Sequence, residues 1–222
     1  TEKWDTAFVS LTYSEKYPIA IADSLYINPS IQKLANEMIA KSALYKKEYR
    51  YSCVNFILLK SIVEEISQKE MQKFLSEYFY EPMELKNTVF LPFHTLSKKQ
   101  IAPSLENDFL RGKLQAFVHD INAAFLGGYS GNAGLFSTTE EVAIIHQMIL
   151  NNGTWKKHQL LSKETCLLFT NTTSETKKRA LGFNKPDIIE LEKSPCSIST
   201  PAETYGHTGY TGTCCWVDPK NE

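Results

Sequence analysis

Apolar residues recur at helical spacing in several stretches of the chain. After Asn28-Pro29-Ser30 come Ile31, Leu34, Ala35, Met38 and Ile39, three and four positions apart. Asn28 can cap such a helix, and Pro29 suits a first helical position, where its missing N–H costs nothing. Val54, Ile57, Leu58, Leu59, Ile62, Val63 and Ile66 cover so wide an arc that the pattern predicts a helix buried in a core. Ser67-Gln68-Lys69-Glu70 has the form of a capping box opening a helix with Met71, Phe74, Leu75, Tyr78 and Phe79, which Glu81-Pro82 stops. Ser137-Thr138-Thr139-Glu140 has the same form, before a stripe of Val142, Ile145, Met148 and Ile149 that Asn152-Gly153 ends. A shorter helix follows Ser162.

From about residue 178 the period changes. Ala180–Phe183, Thr204–His207 and Thr213–Val217 read as short strands, and Asp218-Pro219-Lys220-Asn221 as a turn. The stretch from Asn87 to Leu126 is mixed. It leads into Gly127-Gly128-Tyr129-Ser130-Gly131-Asn132-Ala133-Gly134, where four glycines in eight residues mark sharp turns or close backbone approach. Helices come first and strands last, so the pattern predicts an α+β arrangement: a mostly helical region over 1–178 and the start of an antiparallel sheet over 179–222. A strand leading into a turn expects a partner strand, and the expectation is a piece of a larger domain.

Composition narrows the function classes. The 24 Lys and Arg nearly balance the 25 Asp and Glu, which disfavours nucleic acid as the main partner. No run is long and apolar enough to predict a transmembrane segment, and the first ten residues lack the apolar core of a signal peptide. Five cysteines, Cys53, Cys166, Cys196, Cys214 and Cys215, are scattered and form no CxxC, so they are expected to be free thiols. The five histidines show no metal-ligand spacing, and neither metal nor cofactor is expected.

Three segments could carry chemistry. They are Tyr51-Ser52-Cys53, the glycine-rich run ending in Gly134-Leu135-Phe136-Ser137, and Tyr205-Gly206-His207-Thr208-Gly209-Tyr210-Thr211-Gly212-Thr213. Singly, each also has a plain structural reading as packing, helix entry or strand. In this order they resemble the serine β-lactamase and penicillin-binding-protein superfamily, its class C-like esterases and peptidases in particular. Tyr51-Ser52-Cys53-Val54-Asn55 resembles the Y-S-N motif, Gly134-Leu135-Phe136-Ser137-Thr138 the G-L-x-S-T helix entry, and Gly206-His207-Thr208-Gly209 the G-H-T-G form of the third motif. Phe79-Tyr80-Glu81-Pro82-Met83 is similar to the segment around the family's P-L-G-M, and Val118-His119-Asp120 to a supporting V-H-D. The likeness is greatest to envelope proteins in which such a domain follows a family 3 glycosidase of β-N-acetylglucosaminidase type.

The resemblance implies a β-lactamase/transpeptidase-like α+β fold, incomplete in this chain, and a serine hydrolase in the intact protein. It implies Tyr51 and His207 as catalytic groups facing one cleft, with Cys53, Thr208, Gly209 and Thr211 binding substrate. The substrate would be a small molecule or a cell-wall peptide or ester, and the location the cell envelope or periplasm, or outside the cell. A glycosidase domain in the same polypeptide would be the partner.

Two departures stand out. Ser30-Ile31-Gln32-Lys33 and Ser174-Glu175-Thr176-Lys177 both spell S-x-x-K, but the first is too close to Tyr51 and the second follows it, so the nucleophile is expected outside this chain. Cys53 stands where the family has Asn or Asp, and a thiol cannot both donate and accept as a carboxamide does. A degenerate module that binds without turnover is therefore the rival to the enzyme. A thiol mechanism through Cys53 and His207 ranks below both, since no group is evident to orient the histidine.

Overall fold

Short antiparallel ladders and helices alternate along the chain. The computed structural model describes residues 7–43, 50–171 and 178–221, so Ser174–Lys177 lies outside the described residues. Two units emerge: Thr1–Leu75 with Asn87–Phe136, and Ser76–Lys86 with Ser137–Glu222.

In the first unit, β1 (Val9–Ser10), β2 (Ile19–Ala22) and β3 (Leu25–Ile27) form a sheet of order β1-β3-β2. Leu25 and Ile27 share one face of β3 and are buried, as a period of two requires. With Ile21 they meet Leu114, Phe117, Val118, Ala123 and Ala124 in the core of this unit. Helix α1 (Ser30–Lys41) starts where the Asn28 side-chain oxygen accepts the Ser30 N–H at 2.9 Å. Helix α2 (Val54–Ser67) forms where expected, but its burial does not follow the pattern. Of its apolar residues only Ile57 is buried; Leu58, Leu59, Ile62 and Ile66 are exposed. The width of an apolar arc records which side chains are apolar, not what lies against them.

Helix α3 (Met71–Leu75) also begins differently from expectation. Ser67 is the last residue of α2, and its hydroxyl accepts from Lys69 N. The Met71 N–H is instead held at 2.9 Å by Glu64 from α2. The mixed stretch contains β4 (Val89–Phe90), the hairpin of β5 (Pro103–Asp108) and β6 (Gly112–Gln115), and α4 (Ile121–Phe125). It ends on β7 (Leu135–Phe136), paired with β4. Asp120 caps α4 through the Ala123 N–H, and Arg111, ion-paired to Asp108 at 2.9 Å, donates to the carbonyls of Val118 and His119. The V-H-D segment thus serves as structural support.

The second unit opens with a π-helical turn, Ser76–Tyr80, ended as Glu81-Pro82 requires. Helix α5 (Thr139–Leu150) is capped by Thr138, whose hydroxyl accepts the Glu141 N–H, one position later than the expected box. The hairpin of β8 (Thr154–Trp155) and β9 (His158–Gln159) leads to α6 (Lys163–Asn171), and β10 (Tyr205–Thr208) pairs antiparallel with β11 (Cys214–Val217). Met83, Leu85 and Met148 make the core here, with Phe79, Ile145 and Trp155 around them. Ala180–Phe183 is not a strand. The Ala180 N–H reaches the Phe183 carbonyl at 2.9 Å, and Gly182, at φ +89°, turns the chain between the bridged Arg179 and Asn184. A glycine inside a strand pattern was the sign of that turn.

Asp187 fastens the segment beyond the turn. The Lys178 ammonium 2.6 Å away, with the N–H groups of Glu190 and Ile189, lowers its carboxyl from 3.8 to about 2. Because the folded value is depressed, this stabilisation is present above the ordinary carboxylate value and is lost as pH falls from about 4 to about 2. Asp187→Asn is expected to lower Tm at pH 7, with the gap to wild type closing near pH 2. Melting curves by circular dichroism at pH 7, 4 and 2 check it; a gap independent of pH contradicts this role.

Candidate functional site

The β10–β11 hairpin is held at close quarters by glycine. Gly206 lies opposite Trp216, and a Cβ at Gly206 would come within 2.1 Å of the Cys215 carbonyl oxygen and 2.7 Å of the Trp216 ring. At the open end Gly209 N–H donates to Thr213 O at 2.6 Å and Gly212, at φ +88°, donates to Gly209 O at 3.1 Å. Thr208, Gly209, Tyr210 and Thr211 stand exposed on this turn, Tyr210 at 91%. The turn therefore presents backbone and hydroxyl groups to solvent on a fixed frame. Beneath it Tyr205 is buried edge-on to Phe183, with ring centres 5.1 Å apart, and burial pushes its phenol up to about 12.

His207 is half-buried and both its ring nitrogens are engaged. Nδ1 lies 2.7 Å from the Thr208 carbonyl oxygen, and Nε2 lies 3.1 Å from an Arg179 guanidinium nitrogen. The same guanidinium nitrogen donates to the Asn184 side-chain oxygen. Asn184 also exchanges both backbone hydrogen bonds with Gly206, at 2.7 and 3.1 Å, so it borders β10 on the side away from β11. Its neighbour Lys185 is buried and donates to the carbonyls of Thr170 and Glu203 at 3.3 and 2.7 Å; burial lowers its pKa. The segment carrying Arg179 and Asn184 is thereby pinned to the end of α6 and to the approach to β10.

The other two segments meet in the first unit. Tyr51 is 59% exposed, and Cys53 is half-buried at the entry to α2, where its carbonyl accepts the Ile57 N–H. The glycine-rich run leans on the same helix start. A Cβ at Gly131 would fall 2.0 Å from the Phe56 carbonyl oxygen, and Lys60 lies 5.2 Å from the centre of the Tyr129 ring. Burial pushes the Tyr129 phenol up to about 12. Beside it an open, mostly polar hollow of about 690 Å³ is lined by Lys60, Glu64, Glu70 and Tyr129 among others.

Of the residues singled out from sequence, Tyr51 and Cys53 thus belong to the first unit. His207, Thr208, Gly209 and Thr211 lie together on one hairpin of the second. Sequence reasoning missed Arg179 and Asn184, which sat at the borders of a supposed strand. All five cysteines are free, and among the described residues no three His, Cys, Asp or Glu side chains are placed to hold a metal ion. No described helix is long and apolar enough to cross a membrane.

Comparison with known proteins sets these motifs in context. The chain is 34% identical over 218 residues to a protein of Escherichia coli O157:H7 named "Putative D-alanyl-D-alanine carboxypeptidase", with 91% of this chain and 50% of that protein covered. A protein of the same name from Salmonella agona is 32% identical, with 83% of this chain and 46% of that protein covered. The chain thus spans about half the length of these curated relatives. Among solved structures, the octameric penicillin-binding protein homologue from Pyrococcus abyssi superposes with a TM-score of 0.60 at 16% identity, over 86% of this chain and 42% of that one. A penicillin-binding protein homologue from Caulobacter crescentus gives 0.56 at 15% identity, over 85% of this chain and 55% of that one. These likenesses show a β-lactamase/transpeptidase-type α+β fold, present in part. The Beta-lactamase family model matches residues 16–222, through all three motif segments, and the chain belongs to that family.

Proposed function

We propose that this chain is the part of a penicillin-binding-type serine hydrolase that supplies the tyrosine and the His-Thr-Gly motif. The observation that carries the reading is the β10–β11 hairpin, which offers Thr208, Gly209 and Thr211 on an exposed turn with His207 held behind it. Acyl transfer needs a nucleophile, a base and oxyanion donors. In this reading the nucleophile is the serine of an S-x-x-K motif outside the chain, and Tyr51 takes its proton. A tyrosine with an ordinary pKa near 10 needs nearby positive charge to do so at neutral pH. A backbone N–H near Thr211 joins the serine's own N–H at the oxyanion. The name of the E. coli relative supports a peptide ending in D-alanyl-D-alanine as substrate, ahead of an ester or a β-lactam, and the cell envelope as location.

A protein extended to the relatives' full length is expected to release D-alanine from such a peptide. Tyr51→Phe should lower kcat by about 100-fold or more, the usual scale for losing a general base. Release that is indifferent to Tyr51→Phe overturns the assignment. Cys53 favours a second reading, a catalytically degenerate module that binds substrate-like peptide beside a glycosidase. Peptide binding by the extended protein with no turnover, and turnover gained in Cys53→Asn, would select it.

A further inference from the structure

We infer that Arg179 is the positioning residue of the His-Thr-Gly segment: it holds the His207 ring by donating to Nε2, against an Nδ1–H held by the Thr208 carbonyl, and supplies a positive charge beside it. The Thr208 carbonyl can only accept, so Nδ1, 2.7 Å away, carries a proton. Arg179 can only donate, so Nε2, 3.1 Å away, presents its lone pair. A proton on Nε2 would set donor against donor. The imidazole is therefore engaged at both nitrogens, and its ring orientation is set by those two contacts.

Arg179 is itself held by the Asn184 side-chain oxygen, and Asn184 is locked to Gly206 by two backbone bonds. The guanidinium thus contacts both His207 on β10 and the residue that is bridged to Gly206. The positive charge beside the motif's histidine is carried by Arg179. That this charge serves acyl transfer rests on the function proposed above; the tautomer does not.

The test is 15N NMR of the histidine rings in the 222-residue chain, at a pH where imidazole is neutral, with His207→Gln assigning the signal. The expected result is Nδ1 protonated and Nε2 bare at His207. Arg179→Met should leave Nδ1 protonated on the Thr208 carbonyl and move the Nε2 resonance toward that of an imidazole nitrogen with no donor, and Arg179→Lys, which still donates, should keep the wild-type pattern. A wild-type His207 protonated on Nε2 overturns the inference, whether or not any variant folds. So does an Arg179→Met protein whose His207 Nε2 resonance is unchanged. No substrate is present in this experiment, so a failed hydrolase assay leaves its result standing, and the converse holds as well.

Discussion

Incubated with a fluorescent penicillin, the 222-residue chain is expected to remain unlabelled. Covalent capture requires a serine whose proton is taken by a neighbouring base while oxyanion donors wait for the developing charge. The first S-x-x-K string opens α1, where both Ser30 and Lys33 are exposed and the Ser30 N–H is already bound to the Asn28 side chain. An exposed serine beside a solvated lysine has nothing to activate it. A chain carrying the remaining half of the relatives' length should be labelled under the same conditions. Gel fluorescence of both proteins, followed by mass mapping of any adduct, decides the matter. A penicilloyl group on a defined serine within residues 1–222 would show that the nucleophile is here and that the motif order has been misassigned.

Gly206→Ala is expected to cost about 3 kcal/mol, at the upper end for overpacking a well-filled site. The added methyl would sit 2.1 Å from a backbone oxygen of the facing strand, which cannot yield as the tip of a flexible side chain would. Relief requires β10 and β11 to part, and that would disturb the His207–Arg179 contact along with the turn. Gly112→Ala is the control. Its φ of +70° brings backbone strain, but nothing lies within 4 Å of the new methyl, so its cost should stay near 1 kcal/mol. Urea unfolding followed by tryptophan fluorescence measures both. Equal midpoints for Gly206→Ala and wild type would mean that β10 and β11 do not approach closely enough at Gly206 to exclude a methyl group.

The helices and the final turn could be read from the sequence because their signals are local. Asn28, Thr138 and Ser162 act within three residues of themselves, and Asp218 folds back onto Lys220 and Asn221. The ordered motifs likewise pointed to the family and to the His207 hairpin. What could not be read depends on distant partners. The exposure of α2 is a property of its surroundings, and Glu64 displaced the expected cap because α2 runs on to Ser67, leaving the Met71 N–H within reach. The contact between Arg179 and His207 spans 28 positions. Nothing in the strand-like string around Arg179 marks it as a partner of the third motif.

The bonds between Asn184 and Gly206 also set a rhythm along the hairpin. Since Gly206 turns its backbone away from β11, antiparallel geometry leaves Tyr205 opposite Val217 and His207 opposite Cys215 as the pairs that bond across. The amides of Cys214 and Trp216 then point off the outer edge, where no strand among the described residues meets them. In deuterated solvent β11 should exchange as a comb, with Cys215 and Val217 slow and Cys214 and Trp216 fast. A strand added at that edge, from this polypeptide or another, would silence the fast teeth and leave the slow ones as they were.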